Sequence, residues 1–208
     1  MKHSIPRGIG VVVTGAAGGL GRAFCLELAK ANARIVVADL SLDAAQEAAR
    51  EIIQAGGEAE AVQLDVSNWE SMASLRDTAK EFLGNVEMLI NNAGVGVVGT
   101  VDGTSQEDWE WIMGVNLWGV IYGCRAFLPA MREEGRGYVI NVASISGLVA
   151  PPNLAPYNVT KAAVVSLSET LYSEFAQTDV NVSVICPTFF KTGIHDAGRG
   201  ELSEKLKD

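Results

Sequence analysis

The apolar residues of this chain are concentrated in short continuous runs, separated by longer mixed segments. Six such runs, rich in β-branched residues, cover residues 10–13, 34–38, 61–64, 86–90, 137–142 and 180–185. Because the runs are continuous rather than alternating, they predict strands that are covered on both faces, as in a parallel sheet.

The segments between the runs carry the signals of helix ends. Ser41 precedes an Ala- and Glu-rich stretch that stops at Gly56-Gly57, and Asn32 suits the left-handed position after the first helix. The segments Ser67-Asn68-Trp69-Glu70 and Thr104-Ser105-Gln106-Glu107 fit capping boxes. Strands joined by helical crossovers predict an α/β fold in three layers, with helices on both faces of a doubly wound parallel sheet. Ligands of such sheets bind beyond the carboxyl ends of the strands, so the loops after the first, fourth, fifth and sixth strands should carry the chemistry.

Length and charge exclude several classes of protein. The 208 residues suit one domain spanning residues 1–208. A net charge of -9 argues against nucleic-acid binding and against binding to an acidic membrane surface. We see no apolar run as long as a membrane span and no apolar signal core at the start of the chain, which favours a cytoplasmic protein.

The cysteines and histidines are too few and too widely spaced for a metal site. The three cysteines, Cys25, Cys124 and Cys186, show no metal-ligand spacing and favour buried free thiols in a reducing compartment. His3 and His195 are the only histidines, so neither a His-based metal centre nor a Ser/His/Asp triad is expected.

A glycine-rich loop follows the first run and opens a helix. Its sequence, Thr14-Gly15-Ala16-Ala17-Gly18-Gly19-Leu20-Gly21, allows close approach of the backbone to an anion, and the helix N-terminus favours a pyrophosphate. Asp39, at the end of the second run, could bind the two ribose hydroxyls of an adenosine and would repel a 2′-phosphate. Because Leu40 follows it and no Arg or Lys lies next to the loop at Ala16 or Ala17, we predict NAD(H) rather than NADP(H). A plain strand-to-helix turn with a capping Asp remains the alternative.

Together with further motifs, these residues resemble the short-chain dehydrogenase/reductase family over essentially the whole chain. The glycine loop is similar to the family's Thr-Gly-x-x-x-Gly-x-Gly fingerprint. The other motifs are Asp65-Val66, Asn91-Asn92-Ala93-Gly94, a mid-helix Asn116, Ser144 at the end of the fifth strand, and Tyr157-x-x-x-Lys161. Any one of these motifs is weak, but their occurrence in order is specific.

The resemblance implies a Rossmann-type fold and a set of functional residues. The implied catalytic residues are Asn116, Ser144, Tyr157 and Lys161. The implied contacts with NAD(H) come from Gly15, Ala17, Gly18, Gly19, Leu20, Gly21, Asp39, Leu40, Asp65, Val66, Asn92, Ala93, Gly94, Tyr157, Lys161, Pro187, Thr188 and Thr192.

The chain also departs from the family's pattern. Pro187-Thr188 stands where the family usually has Pro-Gly. Family members usually continue through a substrate-covering helical segment to a seventh strand, whereas this sequence ends at Asp208. The C-terminal part is therefore short, and we expect either a fragment or a missing lid.

Tyr157 and Lys161 lie four residues apart on a predicted helix, so they share one face. We expect the ammonium and an oxidised nicotinamide to lower the pKa of the phenol, so that Tyr157 acts as general acid/base on a substrate oxygen to which Ser144 hydrogen-bonds. By resemblance, Lys161 also binds ribose, and Asn116 holds a water in a proton relay. An ordinary amphipathic face, a turn serine and a helix kink are the structural alternatives.

These features predict an enzyme that interconverts a secondary alcohol and a ketone. The loops expected around the site are apolar and lack an arginine for a charged substrate, which favours a neutral or lipophilic one; they carry Val95, Val97, Val98, Leu148, Val149, Leu154, Phe189 and Phe190. Residues 109–131 and the Tyr157 helix have more apolar positions than one buried stripe needs, and family members often pair these helices, so we expect a homodimer or homotetramer. The alternatives are a non-catalytic NAD(H)-binding sensor or scaffold, and a dehydratase, epimerase or enoyl reductase on the same fold.

Overall fold

The computed structural model describes residues 8–188 and Arg199. Its sheet has the strands β1 (Gly10–Thr14), β2 (Arg34–Asp39), β3 (Glu58–Gln63), β4 (Met88–Asn91), β5 (Arg136–Val142) and β6 (Asp179–Ile185). Neighbouring strands are parallel, in the order β3-β2-β1-β4-β5-β6. The strand order reverses between β1 and β4, which makes this the switch point, and the predicted α/β fold is confirmed.

Helices cover both faces of the sheet. The helices are α1 (Gly19–Lys30), α2 (Leu42–Gln54), α3 (Trp69–Leu83), α4 (Gln106–Met113), α5 (Gly119–Glu134), α6 (Ser146–Val149) and α7 (Ala155–Glu174). Helices α1 and α2 pack on one face, while α3, α5 and α7 pack on the other. A π-helical turn, Gly114–Trp118, joins α4 to α5.

The third strand differs from its prediction in both extent and burial. β3 begins at Glu58 rather than at residue 61, and its exposed and buried residues alternate at its start. The reason is its place at the edge of the sheet, beside β2 only, whereas β1 lies between two strands and is buried throughout. Acidic side chains at Glu58 and Glu60 therefore point to solvent, which also discourages edge-to-edge pairing.

Two predictions are confirmed, one for the end of α1 and one for the start of α2. Asn32 has a φ of 62° just after α1, and Ser41 Oγ accepts a hydrogen bond from Ala44 N at 3.3 Å at the start of α2. Both are short-range devices, in which a left-handed residue ends a helix and a hydroxyl satisfies a free N–H.

Both predicted capping boxes place the N-cap one residue too early in the chain. Asn68 caps α3 and accepts from Ser71 N at 2.9 Å, while the Ser67 hydroxyl instead donates to Asp65 at 2.6 Å. The same shift occurs at α4.

At α4 the cap is Ser105, which accepts from Asp108 N at 3.1 Å. The Thr104 hydroxyl donates to Thr100 O at 2.7 Å. In both places the hydroxyl that the sequence pattern predicted would cap the helix instead donates a hydrogen bond to an acceptor in the preceding loop.

The continuous helical stretch Gln106–Glu134 is long and apolar enough, by length and composition, to cross a membrane. This differs from the sequence analysis, which found no run of that length. Half of its most apolar window is buried within the fold, where α5 packs against the sheet.

Candidate active site

Hydrogen bonds join the loops after β1 and β4 at the switch point. Thr14 Oγ1 accepts from Asn92 N and Ala93 N, both at 3.1 Å, and Asn92 Nδ2 donates to Thr14 O and Gly15 O, both at 2.9 Å. Gly15 has a φ of +60°, and a Cβ there would lie 2.7 Å from Ala93 Cα. Sequence reasoning placed Asn92 and Ala93 among cofactor contacts but missed that Thr14 holds the two loops together.

The glycine loop leaves the N-terminus of α1 open. Its N-cap residue, Gly18, makes no side-chain cap, and a Cβ on Gly18 would have no atom within 4 Å. A Cβ on Gly21 would lie 2.2 Å from Gly15 O, so only glycine lets the helix approach the loop this closely. Gly19 opens the helix, and the half-buried Leu20 packs against the core under α1. Uncapped N–H groups at a helix N-terminus suit a phosphate.

Asp39 lies beside this loop. One carboxylate oxygen, Oδ2, accepts from Ala17 N at 3.0 Å, and Oδ1 accepts from Ser41 N at 3.2 Å. Leu40 is 68% exposed and uncharged. The carboxylate is thus held at the position where the sequence analysis expects an adenosine ribose.

Other predicted cofactor residues lie at neighbouring strand ends. Asp65 is exposed, and its Oδ1 accepts from Ser67 N at 2.9 Å, whereas Val66 is buried. Pro187 O accepts from Ile145 N at 2.9 Å, which joins the segment after β6 to the loop after β5. The exposed Thr188 follows Pro187, while Thr192, Phe189 and Phe190 lie outside the described residues.

Ser144, Tyr157 and Lys161 come from the end of β5 and the start of α7. Lys161 Nζ lies 5.6 Å from the centre of the Tyr157 ring and donates to Val142 O at 2.9 Å. Ser144 Oγ accepts from Ser146 N at 3.1 Å. Because this bond uses an acceptor site of the hydroxyl, the Ser144 proton is left to donate to another oxygen.

Burial shifts both titrating groups toward neutrality. It raises the pKa of Tyr157, and the hydrogen bond with Ser144 opposes this rise only in part. Burial also lowers the pKa of Lys161 to about 8, against a smaller upward effect from Cys186. Desolvation thus disfavours the phenolate in the protein without a cofactor, and the lowering of the phenol pKa that we expect with oxidised nicotinamide bound stays a prediction.

Asn116 connects the loop after β4 to the catalytic helix. Its Oδ1 accepts from Val95 N at 2.8 Å, and its Nδ2 donates to Val95 O at 2.9 Å and to Thr160 Oγ1 at 3.3 Å. Thr160 Oγ1 in turn donates to Tyr157 O at 2.9 Å. Both amide protons of Asn116 are thereby used. The π-helical turn around Asn116 and the role of Thr160 had no recognised sequence signal.

The same loop approaches Lys161 directly. A Cβ on Gly94 would lie 3.3 Å from Lys161 Nζ and 3.4 Å from Asn116 Oδ1. The predicted cofactor residues 92–94 and the predicted catalytic residues therefore border one region, which we call the crevice.

The apolar residues expected around the crevice differ in exposure. Val97 and Val98 are buried, Val95 and Leu154 are half-buried, and Leu148 and Val149 are exposed. In the described part of the chain, no group of three or more His, Cys, Asp or Glu residues is placed to hold a metal ion.

Comparison with known proteins extends this description. The family model for short chain dehydrogenases matches residues 10–201. A short chain dehydrogenase/reductase from Burkholderia phymatum, crystallised in complex with NAD, aligns with a TM-score of 0.90 and 41% identity over 92% of this chain and 69% of that chain.

Two curated relatives carry the names of dehydrogenases. The meso-2,3-butanediol dehydrogenase of Serratia marcescens is 33% identical over 198 residues, which is 95% of this chain and 78% of that protein. The C alpha-dehydrogenase of a Sphingobium species is 34% identical over 189 residues, which is 90% of this chain and 62% of that protein. With its family match, its parallel sheet and its glycine loop at the switch point, this chain belongs to the short-chain dehydrogenase/reductase family.

Proposed function

We propose that this protein is an NAD(H)-dependent oxidoreductase that interconverts a neutral or lipophilic secondary alcohol and its ketone, with Tyr157 as general acid/base. The observation that carries the proposal is the meeting of Tyr157, Lys161 and Ser144 with the cofactor loop at Gly94. Dinucleotide binding could use Lys161 alone, whereas alcohol–ketone chemistry also needs a proton donor and acceptor such as the half-buried phenol of Tyr157 beside it.

The residues of the crevice fit a dinucleotide. The uncapped N-terminus of α1 suits a pyrophosphate, and Asp39 suits the hydroxyls of an adenosine ribose. Among the described residues, Lys161 Nζ has a single hydrogen-bond acceptor, Val142 O, which leaves two protons for the second ribose. When bound, the nicotinamide supplies the hydride chemistry.

The proton chemistry depends on Tyr157 and its neighbours. Burial keeps the phenol protonated, so it is ready to give a proton to the oxygen of a ketone undergoing reduction. In the oxidising direction the phenol must first lose its proton, and positive charge in the crevice favours that loss. Lys161 supplies such charge only below its pKa of about 8. The Ser144 hydroxyl keeps its hydrogen while it accepts from Ser146 N, so it can donate a hydrogen bond to the substrate oxygen beside Tyr157.

Exposed apolar residues near the crevice support a lipophilic substrate. Leu148 and Val149, on α6 just after Ser144, are 59% and 64% exposed. We therefore expect activity to rise with the hydrophobicity of a neutral substrate, and a panel in which only charged substrates react would contradict this.

A groove on the outer side of α5 and α7 supports the proposed homodimer or homotetramer. Its volume is about 540 Å³, and it is lined by Ile121, Cys124, Arg125, Leu128, Pro129, Arg132, Leu167, Leu171, Glu174 and Phe175. Light scattering should give at least twice the chain mass.

Within the same proposal, the protein is cytoplasmic, in keeping with its free thiols at Cys25, Cys124 and Cys186.

The central experiment replaces Tyr157 with Phe. Turnover of secondary alcohols and ketones should fall by about 10³-fold or more, because the reaction loses its proposed proton donor and acceptor, while NADH binding should stay within about two-fold. Tyr172→Phe is the matched control, since Tyr172 lies on the same helix and is 66% exposed.

The outcomes separate the competing functions. Normal turnover by Tyr157→Phe would contradict the acid/base assignment. NADH binding by the unaltered protein without turnover of any substrate in the panel would favour a non-catalytic NAD(H)-binding protein instead.

A further inference from the structure

Arg199, the one residue after Thr188 that the structure describes, pairs with the loop that follows β4. Arg199 N donates to Gly96 O at 3.0 Å, and Arg199 O accepts from Val98 N at 2.9 Å, so Arg199 forms a parallel bridge with Val97. The bridge connects the segment after β6 to residues 95–99, which we call the β4 loop.

The β4 loop borders the crevice and has two further anchors. At its start, Asn116 binds both the N–H and the C=O of Val95. At its end, Gly99 N donates to Asn153 O at 2.8 Å and Gly99 O accepts from Ala155 N at 3.2 Å, at the first turn of the catalytic helix. Arg199 supplies the third anchor, in the middle of the loop.

The Arg199 side chain contacts α4. Its guanidinium carbon lies 4.1 Å from the centre of the Trp111 ring. Its Nη1 also lies 3.9 Å from a Glu107 oxygen and 4.0 Å from an Asp108 oxygen.

These contacts differ in strength. The charged atoms of both ion pairs lie at the longest distance at which an ion pair is counted, and the Glu107 side chain is 87% exposed. Solvent and salt therefore screen these pairs. The stacking on Trp111 is close, and a planar guanidinium matches an aromatic face in a way that an ammonium does not. The stacking therefore holds the side chain, while the two backbone hydrogen bonds set the register of the loop.

We propose that Arg199 is a positioning residue for the substrate side of the crevice: its stacking on Trp111 holds the β4 loop in the arrangement that admits substrate. Apparent substrate affinity then falls by the fraction of molecules in which this contact is broken. This inference rests on the proposed function, since it assigns Arg199 to the substrate of the same reaction. We expect cofactor binding not to depend on Arg199, because hydrogen bonds to Thr14 hold Asn92 and Ala93 without any contact from Arg199.

The test compares Arg199→Ala and Arg199→Lys with Arg76→Ala. Arg76 is a partly exposed arginine of α3 that pairs with its neighbour Asp77, so its replacement makes the same change in charge elsewhere. Arg199→Ala should raise KM for a neutral alcohol by up to about five-fold, the free energy of one cation–π contact, with kcat and the Kd for NADH within about two-fold. Arg199→Lys should recover only part of the loss, and Arg76→Ala should behave as the unaltered protein.

A second readout does not need activity. The fluorescence of Trp111, isolated as the difference between proteins with and without Trp111→Phe, should shift in Arg199→Ala. An unchanged KM would overturn the proposal whether or not the Trp111 fluorescence shifts, as would full recovery by Lys or an equal loss of NADH affinity. If the unaltered protein turns over no substrate, the proposed function fails, and the fluorescence alone then decides whether Arg199 stacks on Trp111.

Discussion

The Lys161 side chain is 3% exposed, and burial lowers its pKa to about 8. Its nitrogen lies near the Tyr157 ring, on the helix face that the four-residue spacing predicted. The sequence therefore locates the pair but does not give its charge state. The charge state depends on burial against the loop after β4, against β5 and against the π-helical turn, which are distant in the chain.

The buried lysine makes stability depend on pH in a defined way. Its native pKa is below its ordinary value of 10.5, so between about pH 8 and about pH 10 the unfolded state binds more protons than the native state. Stability contributed by this group therefore rises with pH across that window, by on the order of 3 kcal/mol. The raised pKa of Tyr157 acts in the opposite sense only at higher pH.

Chemical denaturation of the cofactor-free protein at both ends of this window tests the effect. Lys161→Met should remove most of the rise in unfolding free energy, whereas Lys80→Met, at an exposed position of α3, should keep it. Equal pH slopes for the unaltered protein and Lys161→Met would show that burial does not lower the pKa of Lys161.

Close packing between α6 and α7 fixes the separation between the segment after Ser144 and the helix that carries Tyr157 and Lys161. A Cβ on Gly147 would lie 2.7 Å from the carbonyl carbon and 2.8 Å from the oxygen of Lys161. Backbone cannot move aside as a flexible side chain can, so any larger residue at this position must push α7 away.

Gly147→Ala should therefore impair catalysis more than folding. We expect kcat to fall about ten-fold or more, because Tyr157 and Lys161 shift relative to Ser144, and stability to fall by about 1–3 kcal/mol from overpacking. Steady-state kinetics and thermal unfolding measure the two effects. Glu169→Ala, at an exposed position of α7, is the control, and a Gly147→Ala enzyme with normal kcat would refute this role.

Elements that depend on local chemistry could be predicted from the sequence, and those set by tertiary context could not. Ser41 and Asn32 act within a few residues, and both were correct. The capping boxes failed because Asp65 and Thr100 compete for the hydroxyls of Ser67 and Thr104. The π-helical turn contains Asn116, whose side chain bonds to Val95 and Thr160, and no local pattern shows these long-range contacts.

At the scale of the molecule, the continuous apolar runs and the helix signals between them were enough to predict a parallel sheet and to choose the edge where we expect the chemistry. The reversal of strand order between β1 and β4 opens that edge, and Thr14 and Asn92 join the two loops across it. The contribution of Arg199 could not be predicted, because it depends on a contact between segments about one hundred residues apart. The roles of the individual site residues stay predictions of this account.

Transfer of a labelled hydride tests the central claim most directly. The measurement supplies the protein with oxidised NAD and a neutral secondary alcohol that carries deuterium on its carbinol carbon, and determines the isotope content of the NADH by mass spectrometry. The account predicts singly deuterated NADH from the unaltered protein and almost none from Tyr157→Phe. Unlabelled NADH, or equal labelling by both proteins, would contradict it.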